Sequence, residues 1–244
     1  MMPLTEIRNE HGERIAFTYT PGSTNDVVVL GHGVTSDKER PWSEALSNAL
    51  AVQGIATLRI AFSGNGESEG SFADSTITKE VADLGSVIDA LEGKRVSYVG
   101  HSMGGAVGAL RAAIDDRIHC LVSLAAIAHT REFVERVFGH LNEGDAMLDK
   151  PRCPFSLALR DDLVQLETIV DRARNIHVPW LLVHGTADDI VPFTHSRDVL
   201  AVAGWNAQLV VLDDVDHSFT GDGLPQMLET VVPWLVERLG AGTR

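Results

Sequence analysis

Apolar residues recur along this chain in a regular beat. Val27–Leu30 (VVVL), Ile55–Phe62, Val96–Val99, His119–Ile127, Trp180–His184 and Gln208–Leu212 are short runs rich in β-branched residues. Near-continuous apolar runs of this length are expected of strands buried on both faces, as in a parallel sheet covered by helices. Between them, apolar residues return at three- and four-residue spacing, one face of a helix. Ala45, Leu46, Ala49 and Leu50 do so within 42–53, which stops at Gly54. Val81, Leu84, Val87, Ile88 and Leu91 do so within 76–91, which stops at Gly93. Further helices are predicted after Gly105 and over 195–203 and 224–239. Strand and helix alternate, so the predicted class is α/β, a mostly parallel sheet with helices on both faces.

Two stretches depart from the beat. Residues 4–20 alternate loosely between polar and apolar around a turn at Asn9–Gly12, which predicts an antiparallel β-hairpin at a sheet edge. Residues 128–176 are polar and carry Gly139, Gly144, Pro151 and Pro154. They are too long for a simple crossover and too short for an independent domain. An inserted cap is expected, on a single domain spanning 1–244. Its apolar residues, among them Phe133, Phe138, Met147, Phe155 and Leu159, are expected to divide between a ligand pocket and the seam with the core.

Composition narrows the partners. The net charge of −14, from 20 basic and 34 acidic residues, leaves no Lys/Arg stripe to neutralise phosphates, so no nucleic-acid partner is expected. It also disfavours anionic membranes and strongly anionic substrates, although a local pocket can differ from the average field. No apolar run approaches the about 20 residues of a membrane helix. The opening MMPLTEIRNEHGE shows neither the basic nor the apolar region of a signal peptide. The expected setting is cytoplasmic, with Cys120 and Cys153 as unpaired thiols.

Candidate chemistry lies where strands end, because parallel sheets gather ligands at the carboxyl ends of their strands. Val96–Gly105 reads VSYVGHSMGG and sets Ser102 between Gly100 and Gly104 in a G-x-S-x-G pattern. A serine on so sharp a strand-to-helix turn has a strained backbone, and its neighbours two residues away must lack bulk. Its hydroxyl is a poor nucleophile unless an imidazole takes the proton and a carboxylate orients the imidazole. The strand ending at His184 exits into GTADDIVP, and the next into DDVDHSF. Ser102, Asp188 and His217 therefore stand in the order Ser…Asp…His, each just past a predicted strand. Asp213, Asp214 and Asp216 read as a solvated loop, with no metal expected. His32 reads as a loop-holding residue, His101 as a packing residue and His184 as a satisfied core histidine.

The HG at 32–33, RIAFSGNGESEG, GHSMGG, HGTADDIVP and DVDHSF together resemble the serine α/β-hydrolase superfamily, from about residue 25 to the C-terminus. Within it the chain is most similar to small bacterial carboxylesterases of the feruloyl/cinnamoyl-esterase type. The resemblance implies an α/β-hydrolase fold with a sheet of about eight strands and a small cap after the sixth. It implies Ser102 as nucleophile, His217 as base and Asp188, in preference to the adjacent Asp189, as acid. The implied oxyanion donors are the main-chain N–H groups of Met103 and of Val34, which follows Gly33. Relatives acting on aromatic acyl esters often carry Phe and Gln where this chain has Val34 and Met103, so the pocket wall differs from theirs. The implied activity is cofactor-independent hydrolysis of a small neutral ester with a short-to-medium acyl or aryl group. Hydrolysis of an amide, thioester or C–C bond is an alternative, as is ligand binding without turnover. Sheet-edge and terminal-helix surfaces leave a homodimer open.

Overall fold

The computed structural model describes residues 5–240. Its first half runs β1 (Phe17–Thr20), β2 (Asp26–Gly31), α1 (Pro41–Val52), β3 (Ala56–Ile60), α2 (Ile77–Ala90), β4 (Arg95–His101), α3 (Met103–Ala112) and β5 (Ile118–Leu124). An insertion follows, made of α4 (Thr130–Phe138), β6 (Ala146–Met147), β7 (Lys150–Pro154), α5 (Leu157–Leu166) and a 3-10 turn over Val170–Asn175. The chain then resumes with β8 (Trp180–Gly185), α6 (Thr194–Val202), β9 (Ala207–Leu212) and α7 (Gly223–Leu239). Among the described residues no helix is long and apolar enough to cross a membrane.

Among the described residues, seven strands form the main sheet in the order β1-β3-β2-β4-β5-β8-β9. Every neighbouring pair is parallel except β1 with β3. Alternate residues of each strand serve opposite faces. Val27, Val29 and Tyr98 pack under Leu84, Val87 and Ile88 of α2 and Val107 of α3. Val28, Leu30 and Val99 pack under Leu46 and Leu50 of α1 and Val231 and Leu235 of α7. Burial on both faces explains why these strands read as unbroken apolar runs. Local rules set several helix ends: Pro41 opens α1, Thr76 Oγ1 accepts the Lys79 N–H at the start of α2, and Gly240 closes α7 at φ 67°.

The expected N-terminal hairpin does not form as a pair of sheet strands. Its turn at Asn9–Gly12 is present, but the flanking segments meet in one isolated bridge between Arg8 and Arg14. Asn9 draws the turn onto α2 instead: its Oδ1 accepts the N–H groups of His11 and Glu13, and its Nδ2 donates to Asp83. Phe17–Thr20 pairs antiparallel with β3 rather than with its own N-terminal neighbour. The sheet consequently has seven described strands where about eight were expected, and the insertion follows the fifth of them where the sixth was expected. Leu4, the first residue of the expected hairpin, lies outside the described residues. At the opposite edge β9 pairs only with β8 among the described residues, and Val211 and the adjoining Trp205 face outward, 41% and 97% exposed.

The insertion is packed, not appended. Phe133, Phe138, Met147, Phe155, Leu159 and Leu163 are all buried and continuous with the α2/α3 side of the core. Phe138 meets the rings of Phe133 and Phe155 at 5.7 and 5.9 Å between centroids. Both cysteines are free, and the buried Cys120 donates to Ser97 Oγ.

Candidate active site

β4 is the central strand of the sheet and ends in a sharp strand-to-helix turn. Ser102 adopts φ 55°, ψ −118° and caps the N-terminus of α3, whose first residue is Met103. A non-glycine residue at positive φ is strained, and here the surroundings hold it. The Ser102 N–H donates to Leu124 O at 2.9 Å, and Ser102 O accepts from Gly105 and Ile127 N–H. The crowding accounts for the glycines. A Cβ on Gly100 would overlap Gly104 O, and one on Gly104 would overlap His32 O. A Cβ on Gly33 would lie 2.8 Å from Ser102 Cβ and 3.3 Å from its Oγ, so the loop leaving β2 passes directly against the serine. That places Val34 beside Ser102, while the Met103 N–H, in the first turn of α3, has no intrahelical partner.

His32 fastens the same loop. Its Nδ1–H donates to Gly33 O at 2.9 Å, and its Nε2 accepts the Phe62 N–H at 3.0 Å. Burial pushes its pKa down to about 4, keeping the ring neutral as these two bonds require. His101 is buried between Trp42 and Phe219, and its Nε2–H donates to His217 O at 2.8 Å. Burial, then the neighbouring His217, lowers His101 to about 3.

The loop after β8 carries Asp188 and the loop after β9 carries His217. His217 Nδ1 lies 2.8 Å from Asp188 Oδ2. The Asp188 side chain is fully buried, and its Oδ1 accepts the N–H groups of Ile190 and Val191. His184 Nε2 approaches the same Oδ2 at 3.1 Å. That nitrogen is also 2.9 Å from Val191 O, which can only accept, so it carries the proton; Nδ1 then accepts from Ser196 Oγ at 2.7 Å. Burial alone would raise the Asp188 pKa, but hydrogen bonds from His184, His217 and the Val191 N–H hold it well below the usual carboxylate range. Asp189 is exposed. Asp213 and Asp214 are exposed on the following loop, and Asp216 takes the Thr220 N–H and hydroxyl.

Ser102 and His217 line one cavity of about 240 Å³ together with Gly33, Val34, Phe133 and Leu148. Thr35, Ser36 and Lys150 are shared with an adjoining chamber of about 670 Å³. The insertion roofs both. Its β6–β7 hairpin turns through Leu148 and Asp149, both at positive φ (48° and 57°), and sets Lys150 Nζ 2.8 Å from Thr35 O. Arg136 of α4 donates to Ile190 O beside Asp188 at 2.7 Å.

Ser102, His217, Gly33 and Val34 thus meet at one cavity, with Asp188 behind His217, Met103 after the serine, and Gly100 and Gly104 supplying the clearance. Four contributors were not assigned to the site from the sequence. His184, read above as a satisfied core histidine, is the penultimate residue of β8 and stands four residues before Asp188, a spacing that could have paired them. Arg40, Leu148 and Lys150 line the cavity with no local sequence signal that would have found them. Of the insertion's apolar residues highlighted above, Phe133 lines the cavity, whereas Phe138, Met147, Phe155 and Leu159 are spent on the core.

Similarity to known proteins follows the same outline. An uncharacterized protein of Mycobacterium tuberculosis is 28% identical over 222 residues, 87% of this chain and 71% of that protein. The 2,6-dihydropseudooxynicotine hydrolase of Paenarthrobacter nicotinovorans is 27% identical over 240 residues, 92% of this chain and 60% of that protein. Est1E from Butyrivibrio proteoclasticus, in a structure with ferulic acid bound, superposes with a TM-score of 0.85 at 22% identity, over 97% of this chain and 99% of that one. A sequence model of the alpha/beta hydrolase family matches residues 27–229, and the chain belongs to that family.

Proposed function

We propose that the protein hydrolyses carboxylic esters with short-to-medium acyl or aryl groups through an acyl-enzyme on Ser102. The observation that carries this reading is the 2.8 Å contact between His217 Nδ1 and the buried Asp188, with His217 and Ser102 on the wall of one cavity. An Nδ1–H bonded to an anionic Asp188 leaves Nε2 free to accept a proton. Ser102 Oγ attacks the ester carbonyl and His217 takes the hydroxyl proton. The N–H groups of Met103 and Val34 stabilise the resulting oxyanion, each such donor being worth roughly 10²–10³ in rate. His217 then protonates the departing alkoxide. Water enters, His217 removes its proton, and the acyl-enzyme is hydrolysed to the acid with Ser102 restored. No step needs a cofactor.

The likeness to Est1E, whose structure holds ferulic acid, favours an aryl acid among these groups, and Val34 and Phe133 supply an apolar wall. The test combines a fluorophosphonate probe, intact mass and a panel of p-nitrophenyl and hydroxycinnamate esters. Wild type is expected to gain one label, on Ser102, and to turn over esters in a chain-length-dependent way. Ser102→Ala is expected to lose the label and about 10⁴-fold or more in kcat, and Asp188→Asn about 10³–10⁴-fold. A folded wild type that takes no label overturns the nucleophile assignment. Labelling without ester turnover moves the reaction to another acyl bond.

A further inference from the structure

Charge is distributed unexpectedly around Ser102. The chain carries a net charge of −14, yet the two formally charged side chains lining the Ser102 cavity are both cations, Arg40 and Lys150. Asp188 stands behind His217 and its oxygens are occupied by His217, His184 and two N–H groups. We infer that the substrate carries a carboxylate close to its scissile ester, held by Arg40 and Lys150 on the cavity wall. The inference rests on the esterase reading above and names its substrate class.

Arg40 has no competing partner. Its neighbours Lys38 and Arg59 share Glu39, and Lys38 also takes Glu67. Among the described residues, the Arg40 guanidinium itself makes no ion pair and no hydrogen bond. Its position is also unfavourable for the fold. Arg40 is the N-cap of α1 and makes no side-chain cap bond there. Helix N-caps favour Ser, Thr, Asp or Asn, and the positive end of the helix dipole repels a cation. A residue that breaks a local rule with no structural gain is expected where a site needs it. Its charge reaches the serine turn: after burial, Arg40 is among the causes that lower both His32 and His101.

Lys150 is set in place by the hairpin. One ammonium N–H donates to Thr35 O, which leaves two donors, and no carboxylate pairs with it among the described residues. The adjoining chamber is different. There the shared Lys150 and Arg152 stand against Asp37 and Asp149, so the two chambers taken together carry one excess positive charge, that of Arg40. The excess positive charge belongs to the smaller cavity, next to the reacting serine. The negative field of the whole molecule does not oppose this, because exposed charges are largely screened beyond about 8 Å at physiological ionic strength. A planar guanidinium can bind a carboxylate through two parallel hydrogen bonds, and an ammonium adds a third.

Two matched ester pairs test the inference and distinguish where the carboxylate sits. 4-Nitrophenyl hemisuccinate against its methyl ester places the charge on the acyl side. Carboxymethyl butyrate against methoxyethyl butyrate places it on the alcohol side. Each kcat/KM is normalised to the ester's hydroxide-catalysed rate. In one pair the wild type is expected to prefer the anionic member by about 10-fold or more, as for hydrogen bonds to a charged group. Arg40→Gln and Lys150→Gln should each move that ratio toward one, chiefly through KM, and Arg40→Lys should restore part of it. Turnover of the neutral members with no anionic preference in either pair overturns the inference and leaves the esterase reading standing. A preference unmoved by Arg40→Gln and Lys150→Gln also overturns it. No turnover of any of the four esters overturns both.

Discussion

Asp188 shares one carboxylate oxygen between two imidazoles, His217 at 2.8 Å and His184 at 3.1 Å. His184 is wholly buried and fixed from its other side by Ser196, so the carboxylate is held whichever way the more accessible His217 ring turns. On the esterase reading, His184 is a positioning residue, acting on His217 through Asp188. His184→Leu is expected to lower stability by about 2–4 kcal/mol, since it leaves Ser196, Val191 O and Asp188 short of a partner. It should also lower ester kcat by about 10-fold with KM little changed. His184→Gln, which retains an N–H donor, should recover part of the kcat loss. Thermal unfolding and steady-state kinetics on the same preparations read both effects. A purely structural histidine would lower stability without the kcat–KM split.

Among the elements, the β6–β7 hairpin is the least expected. A two-residue turn with both residues at positive φ favours Asn-Gly or Asp-Gly, yet Leu148 and Asp149 occupy it. Leu148 lies 40% exposed over the Ser102 cavity, where the cost of its backbone is exchanged for an apolar roof. Replacing Leu148-Asp149 with Asn-Gly is expected to stabilise the protein by about 1–2 kcal/mol. For a chain of this size that is a rise in Tm of roughly 2–8 °C. An unchanged or lower Tm would show that the turn carries no such strain. Nothing in the sequence around Leu148 announces this hairpin, because its residues satisfy a cavity and not a turn rule. The strands were legible for the opposite reason. Burial on both faces leaves Val27–Leu30 and Trp180–His184 without polar interruption, and each run ends where the chain must leave the sheet. The positions of Ser102, Asp188 and His217 were legible as strand exits. The pairing of Phe17–Thr20 with β3 was not, because Asn9 engages α2 through tertiary hydrogen bonds that no local pattern encodes. Arg40 and Lys150 were not legible either, since they meet only when the insertion folds over the loop after β2.

Across the whole molecule, buried carboxyl groups set opposite limits on pH. Asp115 is bonded by Arg117 and Arg111, which hold its pKa well below the usual carboxylate range. Asp188 is likewise depressed. Their contribution is full above the unfolded carboxyl pKa and is lost as pH falls through their depressed values. Glu80 acts in the other direction. It is buried on α2 with Oε2 lacking a partner, and burial, then Asp83 and Asp162, raise its pKa well above 4.5. Its protonated form fits the folded state, so stability is full below about 4.5 and falls as pH rises through the raised value. Glu80→Gln should therefore be more stable than wild type by a margin that widens from pH 4 to pH 9, measured by urea unfolding at each pH. A constant margin would show that Glu80 does not titrate with folding.

The strand order also distributes protection unevenly over the candidate catalytic groups. Ser102 leaves the central strand β4, whereas His217 leaves β9, which among the described residues has a neighbour on one side only. Edge strands open to solvent at lower free energy than central ones. Native-state hydrogen exchange should find β9 amides exchanging well before those of β4. Ester turnover should fade at urea concentrations below the global transition, while the serine turn is still intact. On the esterase reading, local opening alone then uncouples the imidazole from its serine, and the expected working limit under stress is the stability of one edge strand rather than that of the fold.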